Sequence, residues 1–476
     1  MRGQLSVESR QRQVIARLKN KNKRLQEDNE FLKDKVNILE NQVENMGLQI
    51  EELQTIIFSK KRNKDHNDPF NLSPKQPRTK ESFRRTIPND NEITDKETLF
   101  IDNCPDCGNV LIKKKTVVRY VEDITLPHLN ILTGLICSPN KKVLKQTYEK
   151  GYCPKCKCWH TAKKGGNSPP ITNREVILGN GIKKYICYKT YILRLTYQQI
   201  QDELKDLYNI KISDGEIANI LNETSQNKLK VPYEQLLKRI QKSSANHLDE
   251  TGWLTKGERT FAWVMTPTKS EESVFMVGKS RGKGIAENLL GENWHNVRIT
   301  DCYGAYKNLK GDHQVCWAHM LRKARDLSQN QTLTEDKRKF ANNIYFKLQT
   351  IYHELKIELQ QGVDKQKAIP MFKIKTRNII KTIQESTDAP KKLLDLSKLM
   401  NKYLDELFVC LKYDNVPADN NKAEQKLRHL VLKRKNSFGA KTDKGNETFS
   451  INASVMLSLW WNGRLNFWNK FNELMA

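Results

Sequence analysis

Along the first fifty residues the apolar positions repeat every seven. Leu18, Leu25, Leu32, Leu39, Met46 and Leu53 form one row, and Ile15, Asn22, Asn29, Val36, Val43, Ile50 and Ile57 form the row beside it. Leu at one core position and mostly β-branched residues at the other predict a two-stranded parallel coiled coil over 9–58, with the two Asn fixing register. A helix packed against its own chain is the second reading of the same stripe. The pattern then stops. From 59 to 98 the chain is Lys, Asn, Asp, Pro and Ser with isolated aromatics, as in Lys60-Lys61-Arg62-Asn63-Lys64, which predicts a flexible basic linker. Alternating runs return in 99–165, at Val117–Val121 and near Leu132–Cys137, and 171–245 reads as helical. There Thr196-Tyr197-Gln198-Gln199 and Ser213-Asp214-Gly215-Glu216 look like capping-box starts, each followed by an apolar face. Two short capped helices predict a helix-turn-helix-like DNA-binding region with Asn219, Asn222 and Gln226 on its reading face; a helical pair that only packs is the plainer alternative.

The densest β signal lies in 246–330. His247-Leu248-Asp249-Glu250-Thr251 is followed at hairpin distance by Phe261–Met265 and Ser273–Val277, then a helical stretch from Gly284 to Leu290, the run Asn296–Thr300 ending on Asp301, and Gln314–Trp317 leading into another helix. Strands that stop on carboxylates, brought side by side in a sheet, are a means of sharing divalent cations. The span 331–416 has Lys, Leu and Ile at helical spacing and predicts a helical insertion. The span 417–476 opens on Asp419-Asn420-Asn421-Lys422-Ala423-Glu424, places an acid one turn into a basic helix, and ends in apolar helix around Trp460, Trp461, Phe467 and Trp468. The fold class is therefore multidomain, mixed α+β and α/β.

Composition narrows the partner. With 82 Lys+Arg against 55 Asp+Glu the 476-residue chain carries a formal charge of +27. An excess spread over the whole length favours a polyanion, nucleic acid before membrane. No apolar window predicts a signal peptide or a membrane span, so a cytoplasmic, nucleoid-associated location is expected. The ten Cys then read as metal ligands before disulfides. Cys104-Pro105-Asp106-Cys107 and Cys153-Pro154-Lys155-Cys156 are two thiolate knuckles at the ends of a β unit, the spacing of a structural zinc ribbon, with Cys158 or His160 as alternate ligands. Arg322, Lys323, Lys426, Arg428, Lys433 and Arg434 are the cations expected at DNA.

The succession of coiled coil, two-knuckle ribbon, helical segment, His247–Thr251, Asp301-Cys302-Tyr303-Gly304-Ala305-Tyr306, Cys316-Trp317-Ala318-His319 with Arg322-Lys323, and Asn420-Asn421-Lys422-Ala423-Glu424 resembles the DDE transposases of insertion-sequence family sixty-six. Gln425 stands where that family often has Arg. The resemblance implies an RNase H-like catalytic domain, interrupted by the helical insertion, with the triad Asp249, Asp301 and Glu424. Asp419 and Glu447 are fallback third ligands, and Glu250 points to the opposite face of its strand. It further implies two Mg²⁺ ions, with Mn²⁺ as substitute, cleavage at element ends and transfer of 3′-hydroxyls into target DNA. The partners would be double-stranded DNA (terminal inverted repeats and target), a second copy of the chain through the coiled coil, and accessory proteins of the same element. Two other classes fit the same residues: a non-catalytic DNA-binding regulator with relict acids, and an RNase H-like nuclease. A tyrosine recombinase using Tyr303 or Tyr306 is a poorer fit.

Overall fold

The computed structural model describes residues 84–125, 128–129, 136–137, 140–163, 175–361 and 364–475, together with Asn22 and Gln26. The expected coiled coil over 9–58 lies outside the described residues except for those two, which are helical. Residues 80–476 form one compact unit.

That unit begins earlier than the composition of the linker suggests. β1 (Asp95–Leu99) falls almost wholly inside the stretch expected to be a linker, and runs parallel to the long strand β5 (Lys141–Cys153). Its charged flanks are paired and not merely solvated: Arg85 forks onto Glu122 at 2.9 and 2.7 Å, Lys141 meets Glu92 at 2.8 Å, and Thr94 N donates to Val143 O at 2.9 Å. β2 (Ile112–Ile124) is antiparallel to β5, and short β3 (His128–Leu129) and β4 (Ile136–Cys137) pair with each other between them. A long strand of the ribbon is thus 141–153; of the run expected near 132–137 only Ile136–Cys137 is described, as β4. β6 (Cys158–Thr161) returns along β5, and β7 (Val176–Leu178) closes the other edge beside β2.

Four helices follow: α1 (Asn180–Tyr191), α2 (Tyr197–Tyr208), α3 (Asp214–Thr224) and α4 (Lys230–Gln241). Thr196 and Gln199 form a reciprocal capping box on α2. Ser213 caps α3 by accepting from Glu216 N at 3.2 Å, without the reciprocal half. A helix turn of wider pitch, Ser225–Leu229, joins α3 to α4.

The second sheet has the order β10-β9-β8-β11-β12. β8 (Ala245–Thr255), β9 (Glu258–Pro267) and β10 (Val274–Gly278) are antiparallel neighbours. Helix α5 (Lys283–Leu290) leads back to β11 (Val297–Thr300), which lies parallel to both β8 and β12 (His313–Val315). Alternation sorts the side chains cleanly. Trp253, Ala262, Val264 and Phe275 face one core, while Leu248, Trp263, Met265 and Val274 face another that includes α4 and α5.

After α6 (Trp317–Ser328) the span expected to be an insertion holds α7 (Glu335–Gln361), α8 (Lys365–Glu385), α9 (Lys391–Lys402) and a tight turn at Glu406–Leu411. Buried Gln314 and Trp317 clamp it to the sheet: the Gln314 amide donates to Leu407 O at 3.2 Å and accepts from Cys410 N at 2.6 Å, and Trp317 Nε1 donates to Leu407 O at 2.7 Å. α10 (Asn421–Ser437), α11 (Asp443–Asn462) and α12 (Phe467–Met475) complete the unit, with Phe467 and Phe471 buried in its core.

The edge of β10 meets α11. The amides of Ser273, Phe275 and Val277 donate to the hydroxyls of Ser458, Ser454 and Ser450 at 2.9, 2.8 and 3.2 Å. Four residues of helix rise about 6 Å and two of strand about 6.7 Å, so serines four apart keep step with amides two apart. An open edge is thereby closed by hydroxyls instead of a further strand.

Candidate active site and cysteine cluster

β8 and β11 are parallel partners in the middle of the second sheet, with His247 in register with Ile299. Two residues further along each strand's path stand Asp249 and Asp301, so the pleat returns both carboxylates to the face that His247 and Ile299 share. α10 lies on that face. Its N-cap, Asn420, is fully buried; its Nδ2 donates to Leu248 O at 2.8 Å and its Oδ1 accepts from His247 Nδ1 at 2.9 Å. Glu424 is four residues beyond Asn420 on the helix, as Asp249 is two beyond His247 on the strand. The two advances nearly match, which carries Glu424 alongside Asp249.

The electrostatics agree with this placement. Burial pushes the Asp249 carboxyl up to about 8, and the negative charges of Glu250, Asp301 and Glu424 add to it. A hydrogen bond from Glu250 N to Asp249 Oδ1 at 2.9 Å only partly offsets that. Asp301 Oδ1 accepts from Tyr303 N at 2.9 Å, which fixes its rotamer. Glu424 is flanked by His319 Nε2 at 3.6 Å and Arg322 Nη2 at 3.3 Å. Burial holds the His319 imidazole below its ordinary value, and its Nδ1 has no hydrogen-bond partner.

All-oxygen donors that are mutually destabilised when ionised suit a hard divalent cation. Among the described residues the ligand atoms gathered within 4.8 Å of one another belong to the cysteine region, so the three carboxylates are spread more widely than a one-ion cage.

The neighbouring acids are committed elsewhere. Glu250 points to the other face, where it accepts from Arg281 Nε at 2.6 Å and from the Tyr306 hydroxyl. Of the fallback ligands, Asp419 accepts from the Tyr352 hydroxyl at 2.7 Å, and Glu447 accepts from Gln226 at 3.4 Å. Tyr306 is fully buried, and Tyr303 lies under the Arg281 guanidinium at 3.8 Å, which leaves neither positioned as a nucleophile.

Half of the expected DNA cations are spent inside the protein. Lys426 is buried against Glu271 and over the Trp461 ring at 4.0 Å, Lys433 donates to Leu195 O at 2.5 Å, and Arg434 donates to Gly252 O. Arg322, Lys323 and Arg428 remain exposed. The reading face expected on α3 is also largely taken, since Asn222 accepts from the Thr448 hydroxyl at 3.3 Å and Gln226 reaches Glu447. Moreover α2 and α3 carry Asp202, Glu203, Asp206, Asp214, Glu216 and Glu223 against Lys205 alone, a charge that repels phosphates. The residue that sequence reasoning passed over is Asn420. Its signal was the Asn pair ahead of Glu424, but its task, tying β8 to α10, depends on partners some 170 positions away.

In the ribbon, Cys104, Cys107, Cys153 and Cys156 bring their sulfurs within 4.8 Å of one another. The pairs Cys104–Cys156 and Cys107–Cys153 stand at 3.8 and 3.6 Å. Tetrahedral zinc–thiolate bonds of about 2.3 Å imply sulfurs about 3.8 Å apart, so this cluster can hold such an ion. The Cys156 amide lowers the Cys153 thiol to about 7, while Cys156, facing neighbouring thiols, is pushed up.

Among the described residues no helix is long and apolar enough to cross a membrane. A comparison with curated proteins finds no match. The family described as Transposase IS66 family matches residues 175–448, a span that runs from β7 through the whole second sheet and the insertion to α11 and takes in Asp249, Asp301 and Glu424. A match over more than half of the chain, on the elements that carry the acidic site, makes this protein a member of the IS66 transposase family.

Proposed function

We propose that the chain is a DDE transposase that cuts DNA at the ends of its own insertion sequence and joins the freed 3′-hydroxyls to target DNA. The observation that carries the reading is the convergence of Asp249, Asp301 and Glu424 on one face of β8, β11 and α10, close enough for the second and third acids to help raise the first to about 8. The strand order, three antiparallel strands followed by two parallel ones, supports an RNase H-like core. Asp249, Asp301 and Glu424 would hold two Mg²⁺ ions, with Mn²⁺ as substitute. Such ions would supply the Lewis acidity that activates an attacking oxygen and stabilises the departing one.

The chain's own residues do the rest. Asn420 locks α10 onto β8, so the spacing of Asp249 and Glu424 is set before DNA arrives. Arg322, exposed beside Glu424, offers its fork to a phosphate oxygen. Neutral His319 supplies one further hydrogen bond beside it. A water oxygen would bond to phosphorus as the P–O3′ bond breaks, the water giving up a proton and O3′ taking one. In the second step that 3′-oxygen, losing its proton, would bond to a target phosphorus as the target P–O3′ bond breaks and the released target O3′ takes up a proton. No covalent protein–DNA intermediate is needed, in keeping with the burial of Tyr306. The four-cysteine centre would hold a structural Zn²⁺, and the amino-terminal coiled coil would pair two copies across two element ends. Accessory proteins of the same element would complete the assembly.

The test is Mg²⁺-dependent cleavage and strand transfer on a duplex carrying the element's ends. Asp301→Ala should lose about a thousandfold in rate, roughly 4 kcal/mol of transition-state stabilisation. Equal cutting by this variant and the wild-type chain would remove the proposal.

A further inference from the structure

Glu250 follows Asp249 in β8, and its side chain is 1 % exposed. A third buried acid beside the site adds to the repulsion on Asp249, which a neutral residue would spare. The partners of Glu250 show what it holds. Its Oε1 accepts from Arg281 Nε and Nη2, each at 2.6 Å, and its Oε2 accepts from the Tyr306 hydroxyl. A carboxylate accepts at both oxygens and so serves donors on two sides, where a glutamine amide would turn its own donor on one of them.

Both partners lead to Asp301. Tyr306 ends the short helical turn Gly304–Tyr306, which is closed by Tyr306 N donating to Tyr303 O at 3.1 Å. Its ring meets Trp263 edge-on with centroids 6.0 Å apart, and its carbonyl accepts from Arg298 Nε at 3.3 Å. Arg281, from the loop between β10 and α5, lays its guanidinium 3.8 Å from the centre of the Tyr303 ring. Tyr303 in turn donates its amide to Asp301 Oδ1 at 2.9 Å. From this geometry we infer that Glu250 is a positioning residue for the proposed reaction: through Arg281 and Tyr306 it fastens the turn after β11, so that the Tyr303 amide holds the Asp301 carboxylate in the orientation a metal ion requires. Were the cluster mere packing, losing one of its bonds would lower stability and leave metal affinity alone.

The inference rests on the reading of Asp249, Asp301 and Glu424 as the metal site, and the experiment separates the two. Mn²⁺ alone is titrated into the full-length chain, with binding read from the loss of the free-ion paramagnetic resonance signal, and hydrogen exchange of the Tyr303 amide is followed without metal. The chains compared are wild type, Tyr306→Phe, Glu250→Gln, Asp301→Ala and, as a control for lost stability, Ser454→Ala. Tyr306→Phe and Glu250→Gln should weaken Mn²⁺ binding by about ten- to a hundredfold and speed exchange at Tyr303, while Ser454→Ala does neither. Wild-type affinity or wild-type Tyr303 exchange in the folded variants overturns the inference alone, as does an equal loss in Ser454→Ala. Binding by Asp301→Ala as tight as wild type removes the metal reading and this inference with it. Should both variants fail to fold, the partly exposed Arg281 decides: Arg281→Gln should bind Mn²⁺ more weakly and Arg281→Lys recover part of the loss, and wild-type binding by Arg281→Gln would sink the proposal.

Discussion

His313 shows how a single buried group shapes the stability of the catalytic sheet. It sits on β12 with Nε2 2.7 Å from the Thr300 hydroxyl, which itself donates to Asp301 O at 2.8 Å. Burial, helped by the Arg298 charge, lowers its imidazole to about 3, against 6.5 for an ordinary histidine. As pH falls below 6.5 the unfolded chain takes up this proton and the folded chain does not until about 3. Its contribution to stability is therefore whole above 6.5 and is lost on the acid side, at up to about 1.4 kcal/mol per pH unit. His313→Gln lacks that slope. Denaturant midpoints at pH 7, 5.5 and 4.5 should show the wild type losing ground to the variant, whatever their difference at neutrality; parallel curves would refute the assignment. None of this is visible in the sequence, where His313 is one polar letter before Gln314-Val315-Cys316-Trp317. Asp301, by contrast, was legible, because it follows the apolar run at which β11 stops, whereas Asp249 stands in the middle of β8 and was singled out by the family resemblance.

Among the elements, α11 carries the sharpest expectation. Its serines at 450, 454 and 458 were not singled out by periodicity, since a helix rich in Ser, Asn and Thr reads as a weak stripe. The structure shows why they are there: among the described residues β10 has no strand on its outer side, and the hydroxyls satisfy its amides. Ser454→Ala leaves the Phe275 amide buried and unpaired, a cost of about 1–3 kcal/mol. Hydrogen exchange at that amide should speed up while amides in the β8–β9 pairing keep their protection; unchanged exchange at Phe275 would mean that water or another group replaces the hydroxyl. α10 teaches the converse lesson. Its Lys and Arg composition suggested a DNA-facing helix, yet Lys426, Lys433 and Arg434 are held by Glu271, Leu195 O and Gly252 O. A long basic side chain can span a packed interface as well as a solvated one, and composition does not distinguish the two.

At the scale of the molecule, the net charge of +27 is divided unevenly. Helices α2 and α3 are acidic, so the basic excess lies on other parts of the chain, and DNA affinity should be strongly salt-dependent without the helix pair contributing to it. The chain also separates at residue 79, with 80–476 compact by itself. Sedimentation of the full chain and of residues 80–476 tests the proposed zipper: the full chain should be at least a dimer, and the shortened chain a folded monomer with its second sheet intact. A shortened chain that still dimerises would place the self-association elsewhere.

What the sequence determined by itself was local: the heptad, the caps at Thr196 and Ser213, the strand and helix order from β8 to α6, the two thiolate knuckles, and the family resemblance that singled out three acids. These rest on spacing within a few residues, which is how helix and strand periods are written. Only the tertiary structure decided which groups meet. The His247–Asn420 contact, the approach of Glu424 to Asp249, the burial of Lys433 and the closeness of His160 to two thiols depend on strand register and helix docking between segments tens to hundreds of residues apart. Such contacts are selected by how whole faces pack, and packing leaves no period in the chain.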